Sequence, residues 1–190
     1  MLAQPQHIKM SVEEYLVLDR ESQDGRYEYI DGYAYLMAGG TRYHSIICVN
    51  ITRELSLLLR GGRCQVFNSD AKVCISPGRY LYPDVTISCD ERDLGEGEMV
   101  HHPRLIVEVL FTSTEAYDRG HKFDYYRTLP SLQEYVLVST NRQAVTIYRR
   151  AAGDLWTLHF FGSDEQVELV SIRRVLPMTS IYEDIAKSIT

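Results

Sequence analysis

Tyr82-Pro83-Asp84-Val85-Thr86-Ile87 and Leu105-Ile106-Val107-Glu108-Val109-Leu110 are two short runs of β-branched, aromatic and aliphatic side chains, each carrying one acid. Such runs predict strands, and the second, apolar at nearly every position, predicts a strand at the centre of a sheet. An unpaired carboxylate at Glu108 would cost several kcal/mol there, or would take up a proton, so something must compensate it. A hard divalent cation held by Asp and Glu oxygens does so directly, and acids on neighbouring strands can converge on one such ion. Asp84 and Glu108 are therefore the candidate metal ligands.

Outward from these runs the chain alternates between two periods. Ser11 followed by Glu14 predicts a capping box opening a short helix through VEEYLVLDR. RYEYI and YAYLM on either side of Asp31-Gly32 predict a hairpin. Ile46, Ile47, Val49, Ile51, Leu55, Leu58 and Leu59 recur near helical period from Tyr43 to Arg60, and Gly61-Gly62 ends the run. CQVFN, KVCIS, LYPDVTIS and RLIVEVLF then read as strands. Thr114 to Arg127 predicts a second helix, with Pro130 at its exit. EYVLVS, AVTIYRR and LWTLHFF read as further strands, and IYEDIAKSI as a C-terminal helix. This mixture predicts an α/β core with an added antiparallel part.

The chain has 190 residues, 45% of them hydrophobic and 24% charged, enough for one substantial core, and no linker or repeat divides it. One domain over 1–190 is expected. No run reaches the length of a membrane helix and MLAQPQHIKM lacks a signal-peptide core, so no membrane partner and a cytoplasmic location are expected. Cys48, Cys64, Cys74 and Cys89 are scattered without a CxxC pair and read as buried free thiols. A net charge of -6 repels a polyphosphate on average, although an acidic metal cluster accounts for part of it.

Asp118 and Lys122 lie four apart on the predicted helix and share a face. Either they form an exposed ion pair, or Lys122 points into a cleft and offsets charge developing on a phosphate. Asp70 and Lys72 read as a polar strand face, His44 as a helix N-terminal residue near the cleft with a structural rather than a catalytic role, and His101-His102 as a loop. Ser113 and Thr114 read as caps. Gly39-Gly40 and Gly61-Gly62 lack phosphate-loop spacing and read as turns.

Pro83-Asp84-Val85, then EVLFTST from Glu108 to Thr114, then Asp118 with Lys122, then Tyr126 and EYVLV together resemble the putative restriction endonuclease family, a branch of the PD-(D/E)XK superfamily. The likeness runs from about Glu13 to Arg149 and includes RYEYIDG and the Gly40-to-His44 segment. It implies a restriction endonuclease-like core, with a mixed central sheet flanked by helices, and Mg²⁺- or Mn²⁺-dependent hydrolysis of DNA. Metal ligation by Asp84, Glu108 and a backbone carbonyl such as that of Val109 is implied with it. In the superfamily a lysine follows two residues after the glutamate; that position here is Leu110, and the resemblance moves the role to Lys122. Glu28, in RYEYIDG, is either an exposed hairpin position or the additional acid that the superfamily contributes from its N-terminal part. A homodimer would supply one site per strand of a duplex. A catalytically inactive binding or assembly module of the same fold is the alternative that Leu110 and the acidic balance favour.

Overall fold

In the computed structural model, residues 7–23, 25–37 and 39–185 are described. Ser11 caps helix α1 (Val12–Glu21) reciprocally: the Glu14 amide donates to Ser11 Oγ at 3.2 Å, and the Ser11 amide to the Glu14 carboxylate at 2.7 Å. Strands β2 (Tyr27–Ile30) and β3 (Tyr33–Leu36) form the expected hairpin. Asp31 and Gly32 take φ of 49° and 97°, the left-handed pair that a two-residue turn needs to match strand twist.

β1 (His7–Lys9), β5 (Lys72–Ser76), β6 (Arg79–Leu81) and β8 (Met99–Val100) complete a first sheet in the order β1-β3-β2-β6-β5-β8. The second sheet contains β4 (Gln65–Asn68), β7 (Val85–Ser88), β9 (Pro103–Leu110), β10 (Glu134–Ser139), β11 (Val145–Arg150) and β12 (Trp156–Phe161). Its order is β12-β11-β10-β9-β7-β4, and it is mixed: β9 and β10 run parallel, and the other neighbours antiparallel. Helix α2 (Arg42–Leu58) lays Ile47, Ile51 and Leu55 on one face of β9, against Leu105, Val107 and Val109. Ile106 and Leu110 point to the other face and meet Tyr126, Leu132 and Tyr135. Strand alternation therefore places Glu108 on the second face, away from α2.

Four sequence expectations need correction. LYPDVTIS is not one strand: β6 belongs to the first sheet and β7 to the second, and Tyr82-Pro83-Asp84 carries the chain across. Pro83 has no amide hydrogen to give to a ladder, so the pairing breaks there. The 114–127 helix is interrupted: α3 (Glu115–Tyr117) leads into a π-helical turn (Asp118–Lys122) and then α4 (Phe123–Tyr126).

The C-terminal helix starts earlier and is short, α5 (Met178–Ile181). The Asn50 side chain donates to the carbonyls of Ile181 and Glu183 at 3.2 and 2.9 Å, taking up acceptors that a continuing helix would use. The last residues of IYEDIAKSI, from 186, lie outside the described residues. Finally, Cys64 and Cys89 form a disulfide, because the adjoining register Gln65↔Ser88 sets β4 beside β7. Cys48 and Cys74 are free, and neither is fully buried.

Candidate active site

The crossing at Pro83-Asp84 is a seam between the two sheets, and it brings together acids from both. Glu28 comes from β2, Asp84 from the crossing, Glu108 from β9 and Asp118 from the π turn. They line a cleft of about 560 Å³ that also contains Lys122 and His44.

Lys122 is 8% exposed, so the exposed ion pair with Asp118 is ruled out. Its Nζ lies 3.1 Å from Glu108 Oε1, 3.3 Å from Glu28 Oε1 and 3.7 Å from Asp118 Oδ1. Tyr126 also donates its hydroxyl to Glu108 Oε1, at 3.0 Å. Glu28 is buried rather than an exposed hairpin position, and accepts from the Tyr82 amide at 3.3 Å. The 118–122 turn explains how one helix supplies these groups. Steps of four residues advance a side chain by about 40° around an α-helix and lag by roughly 30° around the wider π turn. Asp118 to Lys122 spans the π turn and Lys122 to Tyr126 the α turn, so the two drifts nearly cancel and the three side chains share one buried stripe. Hydroxyls of Tyr135 and Tyr148 donate to the carbonyls of Asp118 and Arg119, at 2.9 and 3.4 Å, and hold the wide turn in place.

Asp84 Oδ2 accepts from the Val109 amide at 2.7 Å and lies 3.2 Å from His44 Nε2. Val109 thus meets the cleft through its N–H, which orients Asp84. His44 sits in the first turn of α2, where Thr41 Oγ1 accepts from its amide at 3.3 Å, and its ring stacks on Phe111 with centroids 4.4 Å apart. A Cβ on Gly40 would come within 2.8 Å of His44 Nδ1, so glycine is what admits the ring. From the sequence His44 reads as a helix N-terminal residue near the cleft with a structural role; the structure puts its ring in the cleft lining, against Asp84.

Burial pushes the Glu108 carboxyl up to about 8; Lys122 opposes this, and the charges of Asp84, Asp118 and Glu28 add to it. Burial also raises Asp118, with Asp84 and Glu28 adding to the shift against the pull of Lys122 and Thr114. Burial alone would lower Lys122, but Glu108, Glu28 and Asp118 outweigh it and keep the ammonium charged. Burial and the Asp84 charge raise the Cys48 thiol. Four carboxyl groups share the cleft with one ammonium, and the donor set is mostly hard oxygen, which fits Mg²⁺ or Mn²⁺. Glu108 Oε2 and Asp84 Oδ1 are the oxygens not taken up by Lys122, Tyr126, His44 or the Val109 amide.

Two other sequence readings resolve away from this cleft. Lys72 is not on a polar strand face: it is buried, with Nζ 2.7 Å from Asp19 Oδ2. His101 and His102 border a larger cavity of about 1060 Å³ that shares no residue with the acidic cleft. Most of its charged groups already have partners: Asp90 binds Arg92, Asp93 binds His102, and Arg104 reaches the Ser171 carbonyl, while the Ser131 hydroxyl is buried without one among the described residues.

A mixed sheet between helices, with acids gathered at a strand crossing, defines the restriction endonuclease-like class. The structure matches the crystal structure of a putative nuclease belonging to DUF820 from Anabaena variabilis with a TM-score of 0.76, over 91% of this chain and 97% of that one, at 16% identity. The family described as Uma2, putative restriction endonuclease, matches residues 12–182, and the chain belongs to it. Among curated relatives, an uncharacterized protein of Synechocystis sp. is 38% identical over 179 residues, 94% of each chain. A second from the same organism is 31% identical over 163 residues, 84% of this chain and 92% of that one.

Proposed function

We propose that the chain is a metal-dependent endonuclease that hydrolyses phosphodiester bonds of DNA at the Asp84–Glu108–Lys122 cleft, with Mg²⁺ or Mn²⁺ as its ion. One observation carries this reading: a charged lysine buried within 3.3 Å of both Glu108 and Glu28, in a cleft whose carboxylates outnumber its cations. A sealed structural site would balance its charges, whereas this one has room for a further cation.

Held by Asp84, Glu108 and a backbone carbonyl such as that of Val109, a divalent ion would supply Lewis acidity toward the phosphate and acidify a water. The chain's own residues do the rest. The Val109 amide and His44 orient Asp84, and Tyr126 and Lys122 orient Glu108. In this reading the Lys122 ammonium offsets negative charge that grows in the transition state, the role that Leu110 cannot fill. Glu28 anchors Lys122 from the opposite sheet. The acidic balance requires bound cations to offset the repulsion of a polyanion before cleavage begins.

Cleavage of supercoiled plasmid with Mg²⁺ or Mn²⁺ by wild type, Asp84→Ala and Lys122→Ala tests the reading. Nicking by wild type alone supports it. No cutting by any of the three over a range of DNA substrates would leave a binding module.

A further inference from the structure

We propose that His44, Cys48 and Asp84 form a second kind of metal site, selective for a thiophilic divalent ion such as Zn²⁺. The three come from two elements: His44 and Cys48 lie one turn apart on α2, and Asp84 lies at the sheet crossing. Their ligand atoms all fall within 4.8 Å of one another. His44 Nε2 and Asp84 Oδ2 are 3.2 Å apart. Two ligands each about 2.0 Å from a tetrahedral zinc stand roughly 3.3 Å apart, so this pair already has the spacing of two coordinated atoms. Cys48 Sγ lies 3.6 Å from His44 Nδ1 and 4.0 Å from Nε2, so a small rotation of the thiol side chain would turn it toward an ion held between Nε2 and Asp84.

The donor set separates this site from the hard-ion position. One imidazole, one thiolate and one carboxylate suit Zn²⁺ and not Mg²⁺, which takes oxygen ligands. Three protein ligands leave the fourth position open to the cleft, which His44 and Asp84 both line. The ring is held in advance of any ion, since Phe111 stacks on it, Gly40 leaves room for it, and the α2 backbone fixes its spacing from Cys48. A zinc ion here would engage Asp84 and so compete with the proposed catalytic ion; that consequence rests on the nuclease reading, but the site itself does not.

Cobalt(II), a spectroscopic stand-in for zinc, tests the site with no need for cleavage, so the assay stands even if the protein is not a nuclease. The full chain with its Cys64–Cys89 disulfide intact is titrated with Co²⁺. Expected are the visible bands of a four-coordinate ion and a near-ultraviolet thiolate-to-cobalt charge-transfer band, both removed by equimolar Zn²⁺. Cys48→Ser should lose the charge-transfer band, whereas Cys74→Ser, which changes the other free thiol, and Glu108→Gln, which changes the hard-ion position, should keep it. A wild-type spectrum showing only weak six-coordinate cobalt bands overturns the proposal, as does a charge-transfer band that survives Cys48→Ser.

Discussion

Lys122 and Lys72 are both buried ammonium groups paired with carboxylates, and they differ in what surrounds the pair. Lys72 meets one acid, Asp19, which also accepts the Tyr82 hydroxyl at 2.5 Å and the Tyr27 amide at 3.4 Å. The rings of Tyr15, Tyr80 and Tyr82 stand 5.2 to 6.0 Å from its Nζ and close the site with cation–π contacts. Charge is balanced, and the pair ties α1 to β5. Lys122 instead faces three acids, with a fourth across the cleft, and its site is open. Balance marks a pair that holds the fold together. Imbalance beside a cavity marks one that holds charge ready for something else.

The sharpest break between the two should come from activity. Lys122→Ala is expected to reduce plasmid cleavage by on the order of 10²–10³-fold, since in the proposed mechanism it removes a charge that offsets the transition state's. Lys72→Met should leave the rate of the folded fraction near wild type. Equal losses in the two variants would erase the distinction. Because Lys122 is buried, its removal should also lower metal-free stability, with part of the loss regained in Mg²⁺.

Stability should reverse the ranking. Lys72→Met strands Asp19 among tyrosines and is expected to cost about 3–5 kcal/mol in urea unfolding. Pairing it with Asp19→Asn should recover most of that, and failure to recover would mean that the ammonium matters through packing on the rings.

Acidity offers a gentler probe. The Glu108 carboxyl is raised to about 8, whereas in the unfolded chain it titrates near the usual carboxylate value of about 4.3. Between these values the folded chain keeps a proton that the unfolded chain has released. This contribution is therefore fully present below the unfolded value and is lost as pH rises through the folded one. Metal-free melting temperature should fall from about pH 5 to 8, at no more than about 1.4 kcal/mol per pH unit for one proton. Glu108→Gln should flatten the slope; a slope that persists in that variant would assign it to other groups.

The smallest effect is binding itself. Mg²⁺ or Mn²⁺ at ten times its Kd should stabilise wild type by about 1.4 kcal/mol. That gain should vanish in Asp84→Ala and Glu108→Ala and persist in Lys72→Met. An unchanged metal response in the two acid variants would move the ion elsewhere.

Much of this contrast was legible in the sequence, and for local reasons. Glu108 stood out because a lone acid in an apolar run has few explanations, and the Ser11 box and the Asp31-Gly32 turn carry their geometry within a few residues. The burial of Lys72 was not legible, and Glu28 was reached only through the family resemblance with its burial left open, because both depend on partners far along the chain. Asp19 is 53 positions from Lys72, Tyr82 is 54 from Glu28, and Lys122 is farther still. The strand break at Pro83 was visible as a proline, but nothing nearby said that the chain would change sheets there. The Cys64–Cys89 bridge depended on strand register, which four scattered cysteines do not encode.

The wide turn at Asp118–Lys122 carries one residue more than a plain α-helical turn would hold. Deleting Gly120, where even an added Cβ would meet nothing within 4 Å, should restore ordinary winding at little steric cost and rotate Asp118 relative to Lys122 and Tyr126. Whether this helix lines up an acid with its ammonium on one stripe is thus decided by a single codon's worth of chain length. Gain or loss of that codon is a short mutational path between an armed and a disarmed copy of the same fold, with every side chain of the cleft still in the gene.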